Sequence, residues 1–233
     1  MKYAWLLFDA DNTLFDFTRS ARFAFEETLA HFQIANPSTL FQIYKQVNDQ
    51  CWNDFEQKKI TAVELRKTRF ALFFDAIGEY RDPLEVNEVY LKKLSATRFL
   101  IKGALELLQN LKERNYHLVI ITNGLKEVQR PRIATAGLTD FFEIIVVSDE
   151  IGVSKPHAGF FDFAFSEMQN PEKERVMVIG DSLRSDIKGG NDYGVSSCWY
   201  NPEKQQNTTG IMPTYEIHHL NDLHDVLSST LRL

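Results

Sequence analysis

Trp5-Leu6-Leu7-Phe8 runs straight into Asp9-Ala10-Asp11-Asn12-Thr13. Residues 4–8 are short and apolar on both faces, the pattern of a strand buried within a parallel sheet rather than one with a solvated side. Two carboxylates and a hydroxyl then arrive where that strand must end. The next eighty or so residues read differently. From about 17 to 98 only helical patterns occur. Phe25, Leu29 and Phe32 recur at i, i+4 and i+7, and Leu40, Ile43, Tyr44, Val47 and Cys51 keep helical spacing after Pro37-Ser38. Thr61-Ala62-Val63-Glu64 spells a capping box, in which the threonine hydroxyl and the glutamate carboxylate each satisfy the other's backbone amide. Gly78 suits the left-handed position past a helix end, and Asp82-Pro83 supplies an N-cap and a first-turn proline for a fourth helix.

From Gly103 onward helix and strand alternate. A helix with Ala104, Leu107, Leu108 and Leu111 precedes a strand at 117–121, and a helix ending at Gly137 precedes one at 143–147. A helix with Phe161, Phe165 and Met168 on one face precedes 175–179, and a last one ending at Gly194 precedes 196–200. Such alternation predicts an α/β fold, a parallel sheet with helices on both faces. The expected division is an α/β core of residues 1–16 and 99–233, interrupted by a helical insertion at 17–98. Ligands of parallel sheets bind beyond the carboxyl ends of the strands, which directs attention to the residues found there.

The bulk composition excludes several classes of function. Of 233 residues, 44% are hydrophobic and 25% charged, an ordinary globular balance. A net charge of −6 argues against a nucleic-acid polymer as partner, because such proteins carry a basic stripe. No apolar run approaches the roughly 20 residues of a membrane span, and the N-terminal stretch lacks the features of a secretory signal. Cys51 and Cys198 form no C-x-x-C pair, so no zinc site is predicted, and two lone cysteines suit a reducing compartment. The expectation is a cytoplasmic protein, a monomer or weak dimer, with no membrane partner. His218-His219 has no carboxylate pattern around it and reads as surface rather than metal site. The phenylalanine-rich insertion reads as helix packing, with Phe17 and Trp52 the aromatics placed to stack on a substrate base.

Past the strand ends stand Asp9-Ala10-Asp11-Asn12-Thr13, Thr122-Asn123-Gly124 and Gly180-Asp181-Ser182, with Lys155-Pro156 in the connection after the third strand. This set suits phosphoryl transfer, which needs an in-line nucleophile, neutralised oxygens and a proton for the leaving oxygen. Asp9 is the candidate nucleophile. Asp11, two residues on, is the candidate acid for the leaving oxygen and later base for water. Thr122 offers a hydroxyl and Asn123 a backbone amide to phosphate oxygens, and Lys155 a point charge. Magnesium prefers hard oxygen ligands. The Asp9 and Asp181 carboxylates and the Asp11 carbonyl are the predicted ligands, with Asp186 orienting metal-bound waters.

Taken together, Asp9-x-Asp11-x-Thr13, Thr122-Asn123, Lys155-Pro156 and Gly180-Asp181-x-x-x-x-Asp186 resemble the four motifs of the haloacid dehalogenase-like superfamily. The helical insertion after the first motif resembles that superfamily's helical cap. The resemblance covers essentially the whole chain. It implies a Rossmann-like sheet of order 5-4-1-2-3 and the magnesium-dependent phosphatase branch, with Asp9, Asp11, Thr122, Lys155 and Asp181 in the roles given. Asn12 stands where many members have Gly. Residues 47–55, Ile60-Thr61, Arg69-Phe70 and Cys198-Trp199 further resemble bacterial pyrimidine 5′-nucleotidases, which implies a nucleoside monophosphate as the small phosphorylated substrate.

Other chemistries of the scaffold remain as alternatives. A phosphatase of sugar phosphates or a phosphomutase would use the same residues. A 2-haloacid dehalogenase is disfavoured by Asp11 and Asp181. A phosphonate hydrolase needs a cap lysine, and Lys45, Lys58, Lys59 and Lys67 have no distinguishing context. A non-catalytic phosphate-binding module would be expected to have lost Asp9, Asp11 or Lys155.

Overall fold

The computed structural model describes residues 2–57 and 59–229, so Lys58 lies outside the described residues. The chain divides into two compact units. One takes in the chain up to Phe17, Phe99–Lys126 and everything from Ala136 on. The other takes in Thr18–Arg98 and Glu127–Thr135.

The second unit is helical. Helices α1 (Phe17–His31), α2 (Pro37–Glu56), α3 (Ala62–Ile77) and α4 (Pro83–Ser95) follow one another along the chain. Their ends are set by the local signals. The Thr61 hydroxyl accepts from the Glu64 amide at 3.2 Å, and the Thr61 amide donates to the Glu64 carboxylate at 2.8 Å. Gly78 closes α3 at φ 68°, and Asp82 caps α4 by accepting from the Leu84 amide at 2.8 Å. The phenylalanine-rich composition becomes a ring cluster. Phe25 stacks on Tyr44 at 4.6 Å between centroids, Tyr44 on Phe70 at 5.2 Å, and Phe73 and Tyr90 close around them. Each such buried side chain contributes about 1.5–3 kcal/mol of transfer free energy.

The first unit is built on a six-stranded sheet, every neighbouring pair parallel. The strands are β1 (Trp5–Phe8), β2 (His117–Thr122), β3 (Ile144–Val147), β4 (Val176–Gly180), β5 (Ser196–Tyr200) and β6 (Tyr215–Ile217). Their order is β3-β2-β1-β4-β5-β6. The expected order 5-4-1-2-3 forms its body, and β6 adds an edge outside β5. Three residues reading Tyr-Glu-Ile are too few for periodicity to announce a strand.

Helices α5 (Ala104–Glu113), α6 (Lys126–Thr135), α7 (Ser148–Ile151) and α8 (Ala158–Glu167) connect the strands up to β4. A π-helical turn, Leu183–Ile187, then leads into α9 (Lys188–Tyr193), and α10 (Leu223–Ser229) follows β6. Phe161, Phe165 and Met168 are buried against Leu7, Val119, Val176 and Val178 of the sheet, as their shared face predicted. From Glu127 on, α6 groups with the helical unit rather than with the sheet. Among the described residues no helix is long and apolar enough to cross a membrane.

Candidate active site

Asp9 is the first residue beyond β1, and its amide still donates to the Ile179 carbonyl of β4 at 2.8 Å. The chain then turns sharply. Leu14 and Phe15 amides return to the Ala10 carbonyl at 3.0 and 2.8 Å, and the Asn12 amide donates to the Phe15 carbonyl at 2.8 Å. Asn12 sits at φ 60°. Asparagine and glycine are the residues that tolerate this region, which accounts for the one departure noted in the motif. The turn leaves Asp11 half-buried beside Asp9, whose side chain is buried.

Lys155 reaches the same place from the connection after β3. Its ammonium is 1% exposed and donates three bonds: to Asp9 Oδ1 at 2.7 Å, to Asp186 Oδ1 at 2.6 Å and to the Ile121 carbonyl at 2.7 Å. An ammonium has three donors, so this lysine is saturated and fixed in position. Asn123 holds the main chain beneath it. The Lys155 amide donates to Asn123 Oδ1 at 2.8 Å, and Asn123 Nδ2 donates to the Lys155 carbonyl at 3.0 Å. Reading Asn123 only for its backbone amide had missed this second task. Thr122, at the end of β2 and buried, accepts from the Gly124 amide at 3.2 Å.

Asp181 follows β4. Its carboxylate lies 3.5 Å from the Thr13 hydroxyl, and its carbonyl accepts from the Trp199 indole at 2.8 Å. Asp186, on the π-helical turn, is buried and bonds Lys155 with one oxygen and the Ser182 amide with the other, the latter at 3.1 Å. Gly180 makes room for it: a Cβ there would stand 2.3 Å from Asp186 Oδ2. The sequence offered a hint of this only in the Gly-Asp pairing; that Asp186 faces Lys155 needed the fold.

Asp9, Asp181 and Asp186 each bring a carboxylate oxygen within 4.8 Å of the others. Three carboxylates around one ammonium leave an excess of negative charge in a buried place. The Asp9 carboxyl is raised to about 7: burial pushes it up, Lys155 pulls it down, and Asp186 and Asp11 push it up. Burial and the charges of Asp9 and Asp186 hold Asp181 well above the ordinary carboxylate range. Burial opposes the charge on Lys155, but Asp186 and Asp9 outweigh it and raise the ammonium's pKa. Such a donor set fits a hard divalent cation, which would hold these carboxylates ionised. The carboxylate of Asp11 is not among the three.

The remaining candidates are two aromatics and a histidine pair. Trp52 is half-buried in α2 with its ring 5.6 Å from that of Phe55, and Phe17 opens α1. His218 Nδ1 lies 2.8 Å from the Asn201 carbonyl, and the amides of His218 and His219 donate to Asp222, so this pair shapes a turn.

Residues 3–194 match the haloacid dehalogenase-like hydrolase family. The chain is 36% identical over 231 residues to the pyrimidine 5′-nucleotidase PynA of Streptococcus pneumoniae, covering 99% of this chain and 98% of that one. It is 33% identical over 227 residues to the pyrimidine 5′-nucleotidase YjjG of Escherichia coli, covering 97% and 99%. The crystal structure of the HAD-hydrolase YfnB from Bacillus subtilis, bound to magnesium, superposes with a TM-score of 0.91 at 35% identity over 97% of this chain and 99% of that one. An L-2-haloacid dehalogenase from Xanthobacter autotrophicus, 17% identical with a TM-score of 0.77 and covering 97% and 98%, shares the fold alone. Strand ends, motif order and full-length relatives agree, and the chain belongs to the haloacid dehalogenase-like hydrolases.

Proposed function

We propose that this chain is a magnesium-dependent phosphatase that hydrolyses nucleoside 5′-monophosphates, with preference for pyrimidine nucleotides, through an aspartyl-phosphate on Asp9. The observation that carries the reading is the Lys155 ammonium bonded at once to Asp9 and Asp186, beside Asp181, at the carboxyl ends of β1 and β4. Asp9 attacks phosphorus; the bond to the ester oxygen breaks, and Asp11 gives that oxygen its proton. Asp11 then takes a proton from water, which attacks the phosphoryl group and releases phosphate and free Asp9. The Thr122 hydroxyl and the Asn123 amide hold the phosphoryl oxygens, and Lys155 orients Asp9 and offsets charge.

A magnesium ion bound by the Asp9 and Asp181 carboxylates and the Asp11 carbonyl, with Asp186 alongside, would neutralise the charge that develops on those oxygens. Substrate preference rests on the two nucleotidase relatives, which match over nearly their full length. Phe17 and Trp52 are the candidates to contact the base.

The test is phosphate release from UMP, dUMP, dTMP, CMP, AMP, several sugar phosphates and p-nitrophenyl phosphate, with magnesium and with EDTA. Release led by pyrimidine monophosphates and abolished by EDTA is the expected result. Release led by sugar phosphates would discard the nucleotide assignment and keep the chemistry. No release from any ester would overturn the phosphatase reading.

A further inference from the structure

Strand β4 stops at Gly180, level with Trp199 of β5, and the chain there turns off into the π-helical turn. The peptide unit joining Asp181 to Ser182 lies just past the ladder, and side chains hold it at both ends. Its carbonyl accepts from Trp199 Nε1 at 2.8 Å, and its N–H donates to Asp186 Oδ2 at 3.1 Å. Trp199 is 5% exposed on a strand paired on both sides, so its indole has little freedom to move, and a buried indole N–H needs an acceptor. A peptide plane pinned at both ends fixes ψ of Asp181. With the Ile179 carbonyl and Gly180 anchored in the sheet on the other side, the direction in which the Asp181 side chain leaves the backbone is set.

We infer that Trp199 is a positioning residue for the metal site: its indole N–H holds the Asp181 backbone so that the carboxylate stays in register with those of Asp9 and Asp186. This rests on the proposal that Asp181 is a magnesium ligand. The indole offers no metal ligand; its N–H bonds the Asp181 carbonyl. It acts as the partners of ligating side chains commonly do, by fixing geometry that the cation would otherwise have to impose. The two halves of the clamp differ. Asp186 is also bonded to Lys155 and shares the site's charge, whereas Trp199 is neutral, so its removal changes geometry without changing the electrostatics of the cluster.

The test is Trp199→Phe, which keeps an aromatic ring in the strand and removes the donor. Magnesium binding measured by calorimetry is expected to weaken roughly tenfold. In phosphate release, the half-saturating magnesium concentration should rise in step while kcat at saturating magnesium stays close to wild type. A purely structural tryptophan would lower thermal stability and leave magnesium affinity alone; an unchanged dissociation constant therefore overturns the inference. Should Trp199→Phe fail to fold, Trp5→Phe combined with Trp52→Phe leaves Trp199 as the single indole of a chain with three tryptophans. Its N–H resonance is expected to shift in proportion to magnesium occupancy, and a resonance unmoved through saturation overturns the role. Wild-type protein that takes up no magnesium would overturn the metal site itself and this inference with it, an outcome distinct from an unchanged affinity in the variant.

Discussion

Lys155 of the α/β unit and Arg69 of the helical unit are both long cations buried almost completely, and the two are treated in opposite ways. Lys155 in the α/β unit bonds two carboxylates and a carbonyl. Among the described residues, the partners of Arg69 in the helical unit, 2% exposed, are neutral. Its Nε donates to Asn87 Oδ1 at 3.0 Å, one terminal nitrogen lies 3.5 Å from Asn48 Oδ1, and the guanidinium sits 4.9 Å from the Tyr90 ring centroid and 5.5 Å from that of Phe70. A lysine ammonium is a compact, strongly hydrated charge and needs counter-charge when buried. A guanidinium is flat, less hydrated and stacks on rings, so amide oxygens and aromatic faces suffice. The contrast separates chemistry from packing. Charge in the α/β unit is concentrated at the site proposed for phosphate and metal; charge in the helical unit joins α2, α3 and α4 into one body.

The largest effect that could break this contrast comes from Asp9→Asn. It removes the proposed nucleophile and keeps the shape, so turnover should fall on the order of 10⁴-fold or more while the melting temperature holds. Wild-type turnover in that variant would sink the covalent mechanism. Lys155→Met should cost both properties. Asp9 and Asp186 lose their buried counter-charge, so urea unfolding should show a loss of about 3–5 kcal/mol, and the rate of phosphate release should drop by about 10²-fold or more. A stable and active variant would show that the lysine is dispensable.

Arg69→Met is the counterpart in the other unit. It strands the buried oxygens of Asn48 and Asn87, so a stability loss of about 1–3 kcal/mol is expected, with magnesium affinity unchanged. A shift in magnesium affinity would undo the separation drawn here.

The smallest effect concerns protons. Burial raises Asp9 from an unfolded value near 3.8 to about 7, so the folded metal-free protein binds a proton that the unfolded chain releases. The corresponding stability is complete below the unfolded value and is lost as pH rises through about 7. EDTA-treated protein should therefore gain more from added magnesium at pH 8 than at pH 5, by a few degrees in melting temperature. A magnesium-induced shift independent of pH would contradict this.

Much of the fold was legible because its signals are local. A buried apolar strand followed by two aspartates needs no partner to be recognised. Thr61-Ala62-Val63-Glu64, Gly78 and Asp82-Pro83 act within a few residues of themselves, and the structure uses each of them where it stands. The candidate site was legible as a set of strand ends, since a parallel sheet brings such ends to one rim. What escaped depended on long-range contact. The side chain of Asn123 clamps a backbone 32 residues away, Asp186 meets Lys155 across 31 residues, and the Trp199 indole answers a carbonyl 18 residues back. The grouping of residues 127–135 of α6 with the helical unit has no local signature either.

By itself, then, the order of residues determined which side chains are candidates for chemistry, where helices begin and stop, and that the strands run parallel, because propensity, capping and short-range period act along the chain. Only the tertiary structure decided which carboxylates share the lysine, why Gly180 can bear no side chain, and how the Asp181 backbone is held. Those outcomes follow from distances between segments far apart in sequence, where a contact exists only after the sheet has assembled and closed the gap.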